Sequence, residues 1–460
     1  MKNLMLALAA GLVWSGVAAL PELRVSENRH FLMTADGQPF FWLADTAWEM
    51  FHRLNREEVV TYLDNRAKLG FTAVQAVAIA EEDGLGTPNA YGHCPFVDAK
   101  TPTPRVVDGP DNDYWDHVDF VVDAANKRGI YVGFLPTWGS WWQHVHCIFT
   151  PETARTYGEW LGRRYRDKGI VWILGGDRKP EQPQEFAILD AFAAGLKAGD
   201  GGKHLFTFHP WGGGASSEHF HQKDWLSFNF RQNGHEIDYP RYAGTLDDWN
   251  RTNPVKPVID GEPVYEGHPV AFNPDRFGHT LAADIRRALY WDLFNGACGH
   301  TYGHHSIWQC FGAKRTQETD PNGKNRPLVP FMEAINDPGA SQLQYAKQLI
   351  LSHDFFTRIP APDLIVPDRI RSRVPGAGTR RFVATRDTAG TYAFVYAPVG
   401  FPFTVNLKPF TGGQLKASWM NPRTGAYSAA ETFAKTDTRT FTPPTPGEEL
   451  DWVLVIETVK

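Results

Sequence analysis

Short apolar runs alternate with amphipathic helical segments along most of the chain. Between about residues 40 and 352 there are eight such runs, each apolar at successive rather than alternate positions. Runs of this kind are typical of parallel strands that are covered on both faces. We therefore predict eight parallel strands, at Phe40–Asp45, Ala73–Ile79, Tyr131–Thr137, Val171–Asp177, Leu205–Pro210, Leu226–Gln232, Pro257–Pro263 and Gly299–Ser306.

The segments between these runs predict helices. One begins after Asp113 and places Val118, Val121 and Ala125 on one face before Gly129 ends it. Eight strands with helices between them predict an α/β fold, the (β/α)8 TIM barrel. An open, doubly wound sheet is the alternative, but no Gly-x-Gly-x-x-Gly motif follows the first run.

The pattern changes after Pro360, where Pro and Gly separate short alternating runs and no helical period remains. These runs predict a small all-β sandwich domain. The predicted organisation is therefore a barrel over residues 20–355 and a sandwich over residues 356–460. The strands of the sandwich are predicted at Arg381–Thr385, Thr391–Tyr396, Phe403–Leu407, Leu415–Trp419 and Trp452–Ile456.

The first segment, residues 1–19, has the pattern of a signal peptide. Lys2 precedes an apolar run from Leu4 to Val17, and the small residues up to Ala19 suit cleavage. The run is short for a membrane span, and no later run is longer. We therefore expect a secreted or periplasmic protein without a membrane span. A buried N-terminal helix is the alternative.

Composition narrows the function classes. The chain has 460 residues, of which 42% are hydrophobic and 21% charged, and this excludes a disordered protein. The net charge of −6 gives no reason to expect a nucleic-acid partner. Trp and His are abundant, at 16 and 17 residues, which suits a surface that stacks on hydroxylated ligands.

Four cysteines occur at spacings that match no zinc motif. Export permits disulfides, and the pairs Cys94–Cys147 and Cys298–Cys310 could form. Four buried thiols are the alternative, and the sequence leaves both open.

Two carboxylates at strand ends stand out, because a barrel of this kind carries its active site at the carboxyl ends of the strands. Asp177 ends the fourth predicted strand and Glu262 the seventh. These strands lie across the mouth from each other, which suits an acid/base and a nucleophile on either side of a glycosidic bond. The alternatives are that Asp177 caps the next helix and that Glu262 pairs with a surface arginine.

Other polar and aromatic residues near the strand ends predict contacts to a substrate. Several histidines there raise the alternative of a metal site, but no His-Glu-x-x-His motif is present, so we expect no metal and no cofactor. A serine hydrolase is excluded because the chain has no Gly-x-Ser-x-Gly elbow. The candidates for substrate contacts are Asp45, Glu81, Trp138, His209, Gln232, Tyr302 and His304.

The motifs around these residues match those of a known enzyme family and occur along the chain in the same order. The chain resembles the apiosidase-like glycoside hydrolases, family 140, whose barrel is typically followed by a domain labelled putative collagen-binding. The stretches that carry the resemblance cover essentially the whole barrel. They are Trp42–Glu49, Glu82–Gly92, Leu135–Gly139, Trp172–Asp177, Phe206–Pro210, Asp260–Pro263 and Gly299–Ser306.

The resemblance implies an exo-acting hydrolase that releases terminal apiose from plant glycosides or from pectin (rhamnogalacturonan II) side chains. It implies Asp177 as acid/base and Glu262 as nucleophile, in a mechanism expected to be retaining. It also adds Asn89 and Tyr91 to the expected substrate contacts. The implied partner is a carbohydrate, and we expect a monomer.

One stretch departs from the family pattern. Ser140-Trp141-Trp142 follows the third strand where relatives are expected to be more charged. We interpret it as an aromatic rim that favours a flat leaving group. The alternatives to an apiosidase are another glycosidase or endoglucanase on the same barrel, and a non-catalytic carbohydrate- or matrix-binding protein. The presence of both carboxylates favours an enzyme.

Overall fold

A barrel of eight parallel strands forms the larger part of the protein. The computed structural model describes residues 19–313, 323, 325–367, 378–447 and 449–459. All eight predicted strands are present, and the predicted fold class is confirmed. The first to eighth barrel strands are Trp42–Thr46, Ala73–Val77, Tyr131–Leu135, Ile170–Gly175, Phe206–His209, Asn229–Arg231, Val258–Asp260 and Gly299–Tyr302.

The sheet closes on itself. Neighbouring strands pair in parallel from the first to the fifth and from the sixth to the eighth, and the eighth pairs with the first. Between the fifth and sixth strands, the N–H of Ser227 donates to the carbonyl of Phe206 at 2.8 Å. Thr207 Oγ1 donates to the carbonyl of Phe228 across the same seam, also at 2.8 Å. The strand ends that carry the candidate residues therefore meet at one mouth.

Helices surround the barrel, and none within the described ranges is both long and apolar enough to cross a membrane. The helix predicted after Asp113 begins there because the Asp113 carboxylate accepts the N–H groups of Trp115 and Asp116, at 2.7 and 2.9 Å. The α-helices are Met50–Arg53, Arg56–Lys68, Tyr114–Asn126, Pro151–Tyr165, Pro183–Asp200, Ser217–Phe220, Tyr239–Trp249, Pro274–Phe277, Ala282–Phe294, His305–Trp308, Phe331–Ala334 and Pro338–Leu351.

A small antiparallel sheet precedes the barrel and was not predicted. Its strands, Leu23–Val25, Leu32–Thr34 and Pro39–Phe40, have two or three residues each, too few to show an alternating pattern. It lies at the amino ends of the barrel strands, where the Tyr131 hydroxyl donates to the carbonyl of Pro21 at 2.5 Å. The end of the barrel opposite the mouth is thereby covered. The predicted signal peptide covers residues 1–19, of which 1–18 lie outside the described residues.

The C-terminal domain is all-β, as predicted. The five strands predicted there are present, and the described part of the domain has three more, which were missed because they are short and two of them are largely exposed. One sheet has six antiparallel strands, in the order Arg358–Pro360, Val383–Asp387, Tyr392–Ala397, Trp452–Thr458, Gln414–Met420 and Glu431–Ala434. A second sheet pairs Phe403–Asn406 with Thr438–Phe441.

The large sheet packs on the barrel helix Ala282–Phe294. The rings of Tyr290 and Tyr396 stack across this interface with their centroids 4.6 Å apart. Asp451 of the C-terminal domain is 2% exposed and lies 2.7 Å from the Arg286 guanidinium of the helix. The hydroxyl of Tyr396 also donates to Asp451, at 3.0 Å. An ion pair and an aromatic stack, both buried, therefore join the two domains.

We predict that Asp451→Ala destabilises the protein strongly. The change leaves the buried Arg286 guanidinium without its carboxylate, and breaking a buried pair in this way costs about 3–5 kcal/mol. The measurement is the urea midpoint of unfolding.

The control for this variant is Asp437→Ala in the same domain, where a carboxylate with an exposed side chain lies 3.4 Å from Lys408 Nζ. An exposed pair contributes little. Equal midpoints for the two variants would contradict the structural role of Asp451.

Candidate active site

A strained turn presents Asp177 at the end of the fourth barrel strand. Gly175, Gly176 and Asp177 all have positive φ, at 98°, 105° and 57°. A Cβ on Gly175 would lie 2.2 Å from the carbonyl oxygen of His209, and one on Gly176 would lie 2.9 Å from the Trp138 ring. Only glycine fits these two positions, and the left-handed backbone then turns Asp177 into the mouth.

The Asp177 carboxyl is held at both oxygens. Gln232 Nε2 donates to Oδ1 at 3.0 Å, and Arg178 Nη1 donates to Oδ2 at 3.2 Å. Burial of the carboxyl and the nearby charge of Glu262 raise the pKa of Asp177 above its ordinary value. The group is therefore able to keep a proton at a pH where an exposed aspartate would have lost it.

Glu262 follows the seventh strand and has the opposite preference. His209 Nε2 lies 2.8 Å from Oε2, and His235 Nε2 lies 3.5 Å from Oε1. Burial opposes ionisation, but these two imidazoles outweigh it and lower the pKa of Glu262 to about 2. The side chain is thus an ionised carboxylate at neutral pH, beside an aspartic acid that is harder to ionise.

His209 connects the two acids. Its Nδ1 accepts the backbone N–H of Asp177 at 3.3 Å, so the proton of the neutral ring is on Nε2, which faces Glu262. The ring is fully buried, and the rings of Trp48 and Trp138 pack against it with centroid distances of 5.2 and 5.7 Å. One imidazole of fixed orientation therefore positions both carboxyl-bearing segments.

A second pair of acids lies beneath Glu262. Asp260 accepts the backbone N–H of Glu262 at 3.2 Å and shares a hydrogen bond with Asp292. His300 Nδ1 lies 2.9 Å from Asp292, and all three side chains are fully buried. Burial, followed by the charge of Asp292, raises the pKa of Asp260 well above its ordinary value, and burial raises the pKa of Asp292 to about 7. Asp260 therefore keeps a proton and donates it to the Asp292 carboxylate.

Four of the predicted substrate contacts lie around the two carboxyls. Gln232 touches Asp177, His209 touches Glu262, and Trp138 packs on His209. Glu81, the fourth of them, interacts electrostatically with Asp177. Within the described ranges, Nε1 of Trp138 and Oε1 of Gln232 have no hydrogen-bond partner. These two atoms are a donor and an acceptor suited to hydroxyl groups of a ligand.

Two other predicted contacts are buried in the barrel wall. Asp45 is fully buried and bonds to Arg66 Nε at 2.5 Å and to the Tyr62 hydroxyl at 2.7 Å. Tyr302 is also fully buried, and its hydroxyl donates to Glu266 at 2.7 Å. The polar groups of both side chains are bonded within the protein, so we assign them to the fold and not to sugar binding.

The remaining three predicted contacts organise loops. The Nδ1 of His304 accepts the N–H of Ser306 at 3.0 Å and caps the short helix that follows. Asn89 accepts the N–H of Tyr91 at 3.0 Å, and the Tyr91 ring packs on His117 with centroids 5.1 Å apart. None of these described contacts involves the two carboxyls.

Two alternatives for the carboxylates are excluded. Asp177 does not cap the next helix, because Gln182 occupies the cap position of Pro183–Asp200. Glu262 is paired with His209 and His235, not with a surface arginine.

The comparisons with known proteins agree with this geometry. The profile described as "Apiosidase-like, catalytic domain" matches residues 26–357. The chain belongs to the apiosidase-like family. The profile "Putative collagen-binding domain of a collagenase" matches residues 359–457.

Two solved structures are similar to this apiosidase-like protein over nearly its whole length. One is described as "Glycoside hydrolase", with 30% identity, a TM-score of 0.85 and coverage of 95% of this chain and 97% of the other. The second is a glycoside hydrolase family 5 protein from Bacteroides vulgatus ATCC 8482, with 30% identity, a TM-score of 0.83 and coverage of 95% and 94%. No curated protein matches the chain. The family and these structures establish that the protein is a glycoside hydrolase.

Four residues of the apiosidase-like site were not predicted. Arg178 directly follows Asp177 and could have been found as the next residue at the strand end. Trp48, His235 and Tyr265 come from loops, and the Tyr265 ring lies 4.7 Å from the His235 ring. A loop residue carries no periodic signal that gives its direction, so the pattern alone could not select these three.

The predicted aromatic rim is wrong for Trp142. Its side chain is fully buried, and its Nε1 donates to the carbonyl of Gly175 at 2.8 Å. Trp141 is partly buried and donates to the carbonyl of Ala80 at 3.0 Å. The tryptophans therefore hold the turn that carries Asp177 and the loop after the second strand.

Of the two alternatives left open for the cysteines, neither pair, Cys94–Cys147 or Cys298–Cys310, is bridged. All four cysteines lie within the described ranges, and each carries a thiol, with Cys298 and Cys310 buried. Among the described residues, no group of three or more His, Cys, Asp or Glu side chains is arranged to hold a metal ion.

We predict that the stability of Asp260→Asn, relative to the parent, increases as pH rises from 5 to 8. The unfolded chain ionises this carboxyl near pH 3.9, whereas the folded chain keeps its proton to a higher pH. Above that ordinary value the folded parent binds more protons than the unfolded chain, so its stability falls with rising pH. The amide mimics the protonated acid and does not titrate. The measurement is the free energy of unfolding of both proteins at each pH.

The difference between the two proteins should grow by up to ~1.4 kcal/mol per pH unit while Asp260 stays protonated in the folded parent. A difference that is constant or falls over this range would show that Asp260 is ionised in the folded protein.

Proposed function

We propose that this enzyme is an exo-acting hydrolase that releases terminal apiose from plant glycosides or from rhamnogalacturonan II side chains. Asp177 is the acid/base and Glu262 the nucleophile. The observation that carries the proposal is the contact of one imidazole, His209, with both carboxyl-bearing segments. It leaves Glu262 ionised next to an Asp177 whose pKa is raised.

The first step forms a covalent intermediate. Oε1 or Oε2 of Glu262 attacks the anomeric carbon while the Asp177 proton moves to the leaving oxygen and the glycosidic bond breaks. The low pKa of Glu262 supports this role, because the nucleophile has to be ionised. Arg178 and Gln232 stabilise the Asp177 carboxylate that forms as the proton leaves.

The second step reverses the proton transfer. Asp177, now ionised, removes a proton from water, and the water oxygen replaces Glu262 at the anomeric carbon. Two displacements retain the configuration. We expect the two carboxyl groups to be about 5–5.5 Å apart with substrate bound, which is the separation of retaining enzymes.

The sugar specificity rests on the family match. The apiosidase-like profile covers residues 26–357 and supports apiose as the released sugar. Another glycosidase activity on the same barrel is the second candidate, because one similar structure is described as a member of glycoside hydrolase family 5. Membership of family 140, export, a monomeric state and independence of cofactors stay predictions.

The test of the substrate is a panel of glycosides. We expect apiose to be released from apiosylated flavonoid glycosides or from pectin fragments that end in apiose, and proton NMR of the first product to show retention. Release of a different sugar, with apiosides untouched, would favour the second candidate. A first product with inverted anomeric configuration would instead make Glu262 the base that activates water.

We predict that Asp177→Asn and Glu262→Gln each lower kcat at least ~10²-fold. Both amides keep the shape of the side chain but remove the acid or the nucleophile. The Asp177 variant should lose less on substrates with good leaving groups, because these need little protonation, whereas the Glu262 variant should be poor on all. The measurement is kcat on a series of aryl glycosides.

The matched control is Asp437→Asn in the C-terminal domain, which we expect to be fully active. A Glu262→Gln enzyme with a tenth of the parent rate would exclude the nucleophile role. Circular dichroism spectra identify any variant that has lost its fold.

A further inference from the structure

A guanidinium lies between two carboxyls at the mouth. Nη1 of Arg178 is 3.2 Å from Oδ2 of Asp177, and Nη2 of the same group is 3.8 Å from Oε1 of Glu81. A second bond from Nη1 to the backbone carbonyl of Asp177, at 3.0 Å, fixes the guanidinium in place. The loop after the second strand thus brings a third acid to the two that the mechanism uses.

The charges around this group are predominantly negative. Glu81 faces Asp177, Glu82 and Glu49, with Arg178 as the cation among them. Burial and the charge of Glu262 raise the pKa of Asp177, whereas His209, Gln232 and Arg178 act to lower it. Two neighbouring carboxylates repel each other when both are ionised. The last proton therefore leaves a pair such as Asp177 and Glu81 at a higher pH than it would leave either acid alone.

The local burial strengthens this effect. The side chain of Glu81 is about a quarter exposed, at 26%, and that of Arg178 about a third, at 35%. Desolvation, followed by the charge of Asp177, raises the pKa of Glu81 to about 8. One proton therefore remains on the Asp177–Glu81 pair at neutral pH.

We propose that Glu81 is a positioning residue that, together with Arg178, keeps one proton available to Asp177 in the neutral range. The inference rests on the proposed acid role of Asp177 and deepens it. Glu81 was predicted to contact the sugar; here its carboxyl acts through its neighbour. Arg178 limits the repulsion, so that Asp177 is also stable as the carboxylate base of the second step.

The test is the alkaline limb of kcat/KM against pH, measured on the full chain with a substrate that has a poor leaving group. Glu81→Gln keeps the side-chain shape but removes the repelling charge. We expect its alkaline limb to move to lower pH by about 1 unit. Arg178→Gln removes the compensating cation, and its limb should move to higher pH. If Glu81 and Arg178 had only structural roles, their substitution would lower the rate at every pH and would leave the alkaline limb in place.

Two variants of the same loop serve as controls. Glu81→Asp keeps the charge and should retain the parent limb. Asp83→Asn removes a carboxylate whose described partner is the Thr87 hydroxyl, at 2.5 Å, and its φ of 57° suits asparagine. We expect the parent profile for this variant.

An alkaline limb of Glu81→Gln that stays in place or moves to higher pH would overturn the proposal. If this variant does not fold, Glu81→Asn removes the same carboxylate, and an alkaline limb that stays in place in that variant refutes the proposal. The Asp177→Asn enzyme separates the two proposals. If Asp177→Asn is as active as the parent, Asp177 is not the acid and both proposals are wrong. If Asp177→Asn is impaired but the alkaline limb of Glu81→Gln stays in place, only the role of Glu81 is wrong.

Discussion

The mouth of the barrel has to hold two carboxyls of opposite proton affinity close together, and the imidazole of His209 meets that requirement. Its Nδ1 is bonded to the backbone of Asp177, and its Nε2 faces Glu262. The arrangement needs the ends of the fourth, fifth and seventh strands at one place, which a closed barrel supplies. It also needs a left-handed Asp177, a conformation that costs about 1–2 kcal/mol for a non-glycine residue. The bonds from Gln232 and Arg178 offset that cost.

The acid pair beneath Glu262, Asp260 and Asp292, limits the negative charge next to the nucleophile. The buried N–H of Glu262 is shared between the Asp260 carboxyl, at 3.2 Å, and the carbonyl of Arg231, at 3.3 Å. An ionised Asp260 would add a second negative charge beside the segment that carries the Glu262 carboxylate. By sharing a proton with Asp292, Asp260 accepts the N–H group as a neutral acid. Nε2 of His209 and Nε2 of His235 both face the Glu262 carboxylate, at 2.8 and 3.5 Å.

The sequence predicted the strands and the two carboxylates for the same physical reason. Parallel strands covered on both faces are apolar throughout, so the first polar residue after each run marks the mouth. That rule selected Asp177 and Glu262, and it also selected Asp45 and Tyr302. It could not separate them, because the difference lies in distant partners, Arg66 for Asp45 and Glu266 for Tyr302. Loop residues such as His235 follow no hydrophobic periodicity, so only the three-dimensional structure shows that they reach the site.

The helix Ala282–Phe294 connects the site to the C-terminal domain. Asp292 faces the barrel and forms the acid pair beneath Glu262, while Tyr290 stacks on the β domain and Trp291 donates to the carbonyl of Arg381 there, at 2.9 Å. A helix with one exposed face could rotate by a few degrees at little cost. This one is buried on all sides, because the β domain covers the face that solvent would otherwise occupy. The orientation of Asp292, and with it that of its partner Asp260, therefore depends on the packing of this helix against the C-terminal domain.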